Sequence, residues 1–288
     1  MNKSFKVCYE THGDKKNPCI IFIPGISGQL IHWPPNMIQG LVDQGYYIVT
    51  FDNRDSGLSY YYDEFGSPNI NELIEAKQKG EAVTVPYTLE DMAADVISLM
   101  DHLDVEKAHI AGISMGGIIA QLVALGYSDR VICLICIAST SGDPRLPPAK
   151  QEVLDFFFAP KPENETEESF LKGRLALYQI YNHPDYFDEE KVRELYTRTY
   201  HRAHSSEGFK RQLVAMMATE SRFEKLRELS MKALIIHGDW DSVFSIEHGE
   251  QLAELIPNAH LEIVHKMGHG IPDGLGDQLV KVIASFLE

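Results

Sequence analysis

An α/β fold, with a mostly parallel central sheet flanked by helices and an inserted helical cap, is what the sequence predicts. Three observations predict it. Short, wholly apolar runs alternate with amphipathic helical patterns, the rhythm of strands joined by crossover helices. That rhythm breaks once, between about Ser141 and Leu229, and then resumes. The chain has 288 residues, of which 44% are hydrophobic and 24% charged, enough for one large core and far from the composition of a disordered chain. The reading assigns residues 1–140 and 229–288 to a core domain and 141–228 to the cap.

The elements follow in order. Cys19 to Ile23 and Tyr47 to Phe51 are apolar runs of strand length, separated by a helix near Met37 to Asp43. From Leu89 to Leu103, Met92, Val96, Met100 and Leu103 recur at spacings of one helical turn. The strand Ala108 to Gly112, the helix Met115 to Leu125 and the strand Val131 to Ala138 come next. Past the interruption, Ala233 to Gly238 is a strand, Ile246 to Ile256 a helix, His260 to Val264 a strand and Gln278 to Leu287 a closing helix. Within the interruption, Pro147-Pro148 and Phe156-Phe157-Phe158 precede helical patterns near Glu168 to Tyr181 and Phe209 to Met217. There is no internal repeat or low-complexity tract.

Composition excludes several functions. The net charge of −16 repels a phosphate backbone, so no nucleic-acid partner is expected. No segment approaches the roughly 18 consecutive apolar residues of a membrane span, and Met1 to Cys8, followed by Asp14, Lys15 and Lys16, offers no secretory apolar region. A cytoplasmic protein is expected, for which the sequon Asn164-Glu165-Thr166 has no use. Four cysteines are too few for a disulfide framework. Cys133 and Cys136 form a C-x-x-C, but positions three apart on a strand face opposite ways. They read as small core residues, with no metal and no cofactor implied. Oligomeric state is left open.

Gly112-Ile113-Ser114-Met115-Gly116 is a G-x-S-x-G between a strand and a helix, the context in which a sharp turn lifts a serine hydroxyl out of a sheet edge. A serine is a weak nucleophile at neutral pH, so it requires a base and a group that orients the base. Two later strands end in loops that supply both. Asp239-Trp240-Asp241 follows His237-Gly238, and His265-Lys266-Met267-Gly268-His269-Gly270 follows Val264. The order Ser114, Asp241, His269 is that of a nucleophile, acid and base on such a sheet. Asp239 competes with Asp241 and reads better as a turn stabiliser. Asp143 is a further candidate orienter, and His265 competes with the glycine-flanked His269. The backbone N–H groups of Met115 and Ile26, the latter in the loop Ile23-Pro24-Gly25-Ile26-Ser27-Gly28, are the candidate oxyanion donors.

On these residues the chain resembles the α/β-hydrolase fold family. The resemblance adds Asp52-Asn53-Arg54-Asp55-Ser56-Gly57-Leu58-Ser59 after a strand, and runs from residue 20 to 270. Together with His32-Trp33-Pro34 and Ile113 to Gly117, it is similar to the aclacinomycin methylesterase-like group, which implies cofactor-free hydrolysis of a carboxylic ester. A serine at position 114 argues against the haloalkane dehalogenase and epoxide hydrolase branches, which carry aspartate there. Pro24-Gly25 departs from the His-Gly of many members and removes a histidine that braces the oxyanion loop. The expected substrate is a small-molecule ester with a hydrophobic or aromatic part, facing Phe156, Phe157, Phe158, Tyr178, Met216 and Met217. Leu213, Val214, Met216 and Met217 also fit a core reading, and Tyr60, Tyr61 and Tyr62 a loop or pocket edge. The same triad permits a carbon–carbon bond hydrolase, a cofactor-free perhydrolase, a proline iminopeptidase or a lyase, and a non-catalytic receptor could retain the scaffold.

Overall fold

Strands buried on both faces must be covered on both faces, and the computed structural model, which describes residues 7–159 and 165–288, shows how. The strands β1 (Tyr9–His12), β2 (Cys19–Ile23), β3 (Tyr47–Phe51), β4 (Ala108–Ile113), β5 (Val131–Ile137), β6 (Lys232–Gly238) and β7 (Ala259–Val264) form one sheet. Its order is β1-β3-β2-β4-β5-β6-β7, and every pairing is parallel except β1 with β3. The helices are α1 (Pro35–Asp43), α2 (Ile70–Lys79), α3 (Leu89–His102), α4 (Met115–Gly126), α5 (Gln151–Phe158), α6 (Glu167–Tyr181), α7 (Glu189–Arg202), α8 (Ser206–Ala218), α9 (Ile246–Leu255) and α10 (Gly276–Leu287).

Alternation along each strand splits the core into two layers. Ile21, Ile23, Ile110, Cys136 and Ile235 point to the face covered by α3, α4 and α9. Ile20, Phe22, Ala111, Cys133 and Ile236 point to the face covered by α1 and α10. Cys133 and Cys136 thus lie on opposite faces, unpaired, and burial pushes both thiols up to about 12. At the start of α3, Thr88 accepts from the Asp91 N–H while the Asp91 carboxylate accepts from Thr88, a reciprocal cap that fixes where the helix begins.

The predicted α/β architecture is present, with a few boundaries moved. The helix expected to Leu103 ends at His102, with Leu103 as its cap, and the closing helix starts two residues before Gln278. One strand and three α-helices are additional. β1 is four residues of YETH without an apolar face, and α7 buries only Val192 and Thr199, so neither carries the periodic signal of a core element. The helices α2 and α5 are the other two, the latter containing the three-phenylalanine cluster. The sequon starts at Asn164 and the N-terminal reading at Met1, both outside the described residues.

Residues 151–218 of the interruption contain α5, α6, α7 and α8. The segment after β3 ties them to the sheet. Asp55 takes two bonds from Arg211 on α8, 2.9 Å from Nε and 2.8 Å from a terminal nitrogen, with both side chains buried. Asp52 pairs with Arg202 on α7 at 2.7 Å, and its other oxygen accepts the Leu30 N–H at 2.8 Å. Removing one partner of such a buried pair costs about 3–5 kcal/mol, because the other charge stays behind without compensation.

Candidate active site

The turn between β4 and α4 is the sharpest point of the fold. Ser114 sits there at φ 56°, ψ −121°, backbone that a side-chain-bearing residue adopts only under constraint. Gly112 and Gly116 impose that constraint. A Cβ on Gly112 would stand 2.1 Å from the Gly116 carbonyl oxygen, and one on Gly116 would stand 2.1 Å from that of Ile23. Only glycines let β4, α4 and β2 approach so closely, and the approach brings the loop after β2 beside the serine.

The side chains named from the sequence meet here. The Ser114 hydroxyl lies 2.8 Å from Nε2 of His269. Nδ1 of His269 lies 2.9 Å and 3.1 Å from the two Asp241 oxygens. Asp241 also accepts the N–H groups of Val243 at 2.8 Å and Phe244 at 2.9 Å. Burial alone would raise its pKa, but the charge and hydrogen bond of His269, with His237 and the Val243 N–H, hold it below the ordinary carboxylate value.

The competing candidates lie elsewhere. Asp239 accepts from His265 at 2.7 Å and from the Lys266 N–H at 2.7 Å, an exposed arrangement that braces the loop. Asp143 is bound by Arg145 and Gln251, and the Arg145 hydrogen bond pulls its pKa down. Neither carboxylate contacts His269.

Several positioning groups carried no sequence signal. The last carbonyls of a helix need donors from outside it. At the end of α6, Ile180 receives the Ser242 hydroxyl at 2.9 Å and Tyr181 receives the His269 N–H at 2.9 Å. One helix end therefore anchors both the acid loop and the base loop. Gly268 makes this possible, since a Cβ there would stand 1.8 Å from the Tyr181 oxygen. Behind the acid, buried His237 donates from Nε2 to the Phe244 carbonyl at 2.7 Å and lies 3.6 Å from Asp241. Burial lowers its pKa.

The loop Pro24 to Gly28 has its own braces in place of the missing histidine. The Ser27 N–H donates to Gln212 on α8 at 2.7 Å, and Asn53 donates to the Pro24 carbonyl at 3.0 Å. Gln212 in turn donates to the Arg54 carbonyl at 2.7 Å. Gln212 is completely buried, but in the sequence it follows Lys210 and Arg211 and reads like a solvated position. Met115 opens α4, so its N–H has no acceptor within the helix.

Ser114, His269 and Ile26 line one cavity of about 180 Å³. Its wall includes Phe156, Phe157, Leu177, Tyr178 and Phe209 from the interrupting helices. Phe158 is 46% exposed instead, Met216 packs on the core, and Leu213 and Val214 are buried. Tyr60, Tyr61 and Tyr62 do not line this cavity; Tyr61 borders a smaller neighbouring cleft. No cluster of His, Cys, Asp and Glu able to hold a metal ion occurs among the described residues, and no helix among them is long and apolar enough to cross a membrane.

Known proteins share this organisation. A model of the α/β hydrolase fold matches residues 18–273. Rhodomycin D methylesterase DnrP of Streptomyces peucetius is 25% identical over 293 residues, covering 95% of this chain and 92% of its own length. The 3-oxoadipate enol-lactonase 2 of Acinetobacter baylyi is 24% identical over 260 residues, covering 89% of this chain and 84% of its own. Among solved structures, the enol-lactonase from Burkholderia xenovorans LB400 has the same fold, with a TM-score of 0.73 at 19% identity and coverage of 98% and 96%. The expected likeness to the methylesterase-like group is met by the first of these relatives. The chain belongs to the α/β-hydrolase fold family.

Proposed function

We propose that the protein hydrolyses a carboxylic ester of a small, partly hydrophobic or aromatic molecule through an acyl-enzyme on Ser114. The observation that carries the reading is the unbroken chain of contacts from the Ser114 hydroxyl through both nitrogens of His269 to Asp241, at 2.8 Å and 2.9 Å. Nε2 of His269 takes the hydroxyl proton as Oγ bonds to the ester carbonyl carbon, and Asp241 stabilises the imidazolium. The carbonyl oxygen becomes an oxyanion held by the N–H groups of Ile26 and Met115, with the N-terminus of α4 adding a favourable field. Collapse breaks the bond to the alcohol, which leaves with the proton from His269. Water then attacks the acyl carbon, giving its proton to His269, and the acid departs as Ser114 recovers its proton.

Helices α5 to α8, within residues 141–228, act as a cap in this proposal, since their aromatic residues form the cavity wall opposite the serine. The methyl ester of the methylesterase relative and the lactone of the enol-lactonase, a cyclic ester, are both open to this chemistry. No cofactor enters it, and the four unpaired cysteines suit the cytoplasm.

The test is a panel of methyl and p-nitrophenyl esters together with a fluorophosphonate probe. Ester turnover and labelling that vanish in Ser114→Ala are expected. Labelling without turnover of any ester would favour a different acyl or carbon–carbon substrate, and absence of labelling would leave a receptor.

A further inference from the structure

The cavity contains a cation that no described residue answers. Arg174, on α6, is half-buried and lines the cavity that holds Ser114, as well as two adjoining clefts. Other arginines buried nearby are all satisfied. Arg54 pairs with Asp95 at 2.7 Å, Arg202 with Asp52 at 2.7 Å and Arg211 with Asp55 at 2.8 Å, while Arg222 donates to Gln121 and to the carbonyls of Thr140 and Glu220. Among the described residues, Arg174 has neither an ion-pair partner nor a hydrogen-bond acceptor. Its guanidinium lies 5.0 Å from the ring centre of Phe170 and 5.9 Å from that of Tyr196. Glu165, which borders one of the adjoining clefts, is held by His204 at 2.7 Å.

A guanidinium has five donors, and contact with aromatic faces satisfies none of them. The chain has 42 carboxylates against 26 basic residues, so an unpaired arginine is not for want of acids. Its charge reaches the site: it adds to the burial that pushes His32 down to about 3, and opposes the burial that raises Tyr181, whose ring packs edge-on against His269.

We infer that Arg174 is a specificity residue that pairs with a carboxylate on the substrate, so that the ester cleaved carries a free acid group on the part lodged beneath the cap helices. The inference rests on the hydrolase reading above. A planar carboxylate matches the guanidinium fork with two parallel bonds. A phosphate dianion would bring a second charge that this single cation leaves unmatched in an otherwise largely apolar cavity, so carboxylate is the chemistry the site favours.

The experiment compares p-nitrophenyl hemiesters of linear dicarboxylic acids, from succinic to suberic, with neutral esters of the same chain length. The wild type should favour a hemiester of one length over its neutral counterpart. Arg174→Ala should lower that charged-to-neutral ratio of kcat/KM by about ten- to a hundredfold, the worth of a charge-assisted hydrogen bond to a buried group. The loss should fall on KM rather than kcat, and Arg174→Lys should restore part of it. Arg198→Ala, which removes an exposed positive charge of α7 away from the cavity, should leave the ratio unchanged. A ratio insensitive to Arg174, or one equally reduced by Arg198→Ala, would overturn the assignment.

Calorimetry on Ser114→Ala separates this inference from the reaction itself. The monoamide of the preferred diacid should bind, the corresponding simple amide should bind more weakly, and Arg174→Ala should abolish the difference. If no ester is turned over, the monoamides of the whole series are titrated instead. Arg174-dependent binding would then uphold the carboxylate site while the hydrolase reading fails, and binding indifferent to Arg174, or none, would reject the site.

Discussion

Two aspartate–histidine pairs stand on the same two loops, and only one reaches the serine. Asp239 and His265 are 2.7 Å apart, whereas Asp241 and His269 are 2.9 Å apart. By distance alone the first pair is the better one. Their surroundings differ. The side chains of His265 and Asp239 are 79% and 36% exposed, while those of His269 and Asp241 are 7% and 0% exposed. Water screens the outer pair and competes for its hydrogen bonds. The inner pair is held by the N–H groups of Val243 and Phe244 on one side and by the end of α6 on the other. The proposed proton transfer requires a geometry fixed before the reaction begins, which burial and third partners give the inner pair.

Substituting the acids tests the contrast most severely. Asp241→Asn should lower kcat/KM for an accepted ester by about ten-thousandfold, because the amide favours the wrong histidine tautomer. Asp239→Asn should stay within about twofold, as expected for an exposed position that touches no reacting group. Replacing His269 and His265 by Gln should repeat the contrast. Thermal melting confirms that each variant is folded, and a comparable loss from the outer pair would erase the distinction.

A smaller effect is expected one layer out, at His237. Its Nε2–H holds the Phe244 carbonyl, and the N–H of that same residue donates to Asp241. His237→Phe leaves the carbonyl without its donor, which should cost about 1–3 kcal/mol of stability. Turnover should fall by roughly tenfold as the acid loosens, a loss well short of that from Asp241→Asn. Unchanged kcat with reduced stability would make His237 a packing residue only.

This comparison also marks how far the sequence could be read. Fully apolar strands and the G-x-S-x-G between β4 and α4 are local patterns, so the sheet, the serine and the two loops were legible. Choosing Asp241 over Asp239, and His269 over His265, rested on chain order and flanking glycines. What separates the two pairs physically is burial beneath α6, through contacts that span 62 residues from Ile180 to Ser242 and 88 from Tyr181 to His269 and that no local pattern encodes. Gln212 and Arg174 were missed for a related reason. A lone polar residue on a helix resembles a solvated position until the partner surface is known. The helix α7 was missed because so few of its residues face a core.

The smallest effect concerns the outer pair alone. Burial by itself would raise the pKa of Asp239, but the hydrogen bond from His265 and the Lys266 N–H lower it below the ordinary carboxylate value. A carboxyl group depressed in the folded state stabilises the fold above its unfolded pKa, near 3.9, and that contribution is lost as pH falls through the lower folded value. The same sign applies to Asp241, which is buried and also depressed. The two should differ in size. A double-mutant cycle on Asp239 and His265, read by denaturant unfolding, should give a coupling under about 1 kcal/mol, vanishing at more acidic pH. The equivalent cycle on Asp241 and His269 should give a larger coupling, because breaking a buried pair leaves an unsatisfied charge that exposed residues hand to water. Equal couplings would mean that burial does not distinguish the pairs, and the preorganisation argued for the inner one would need another cause.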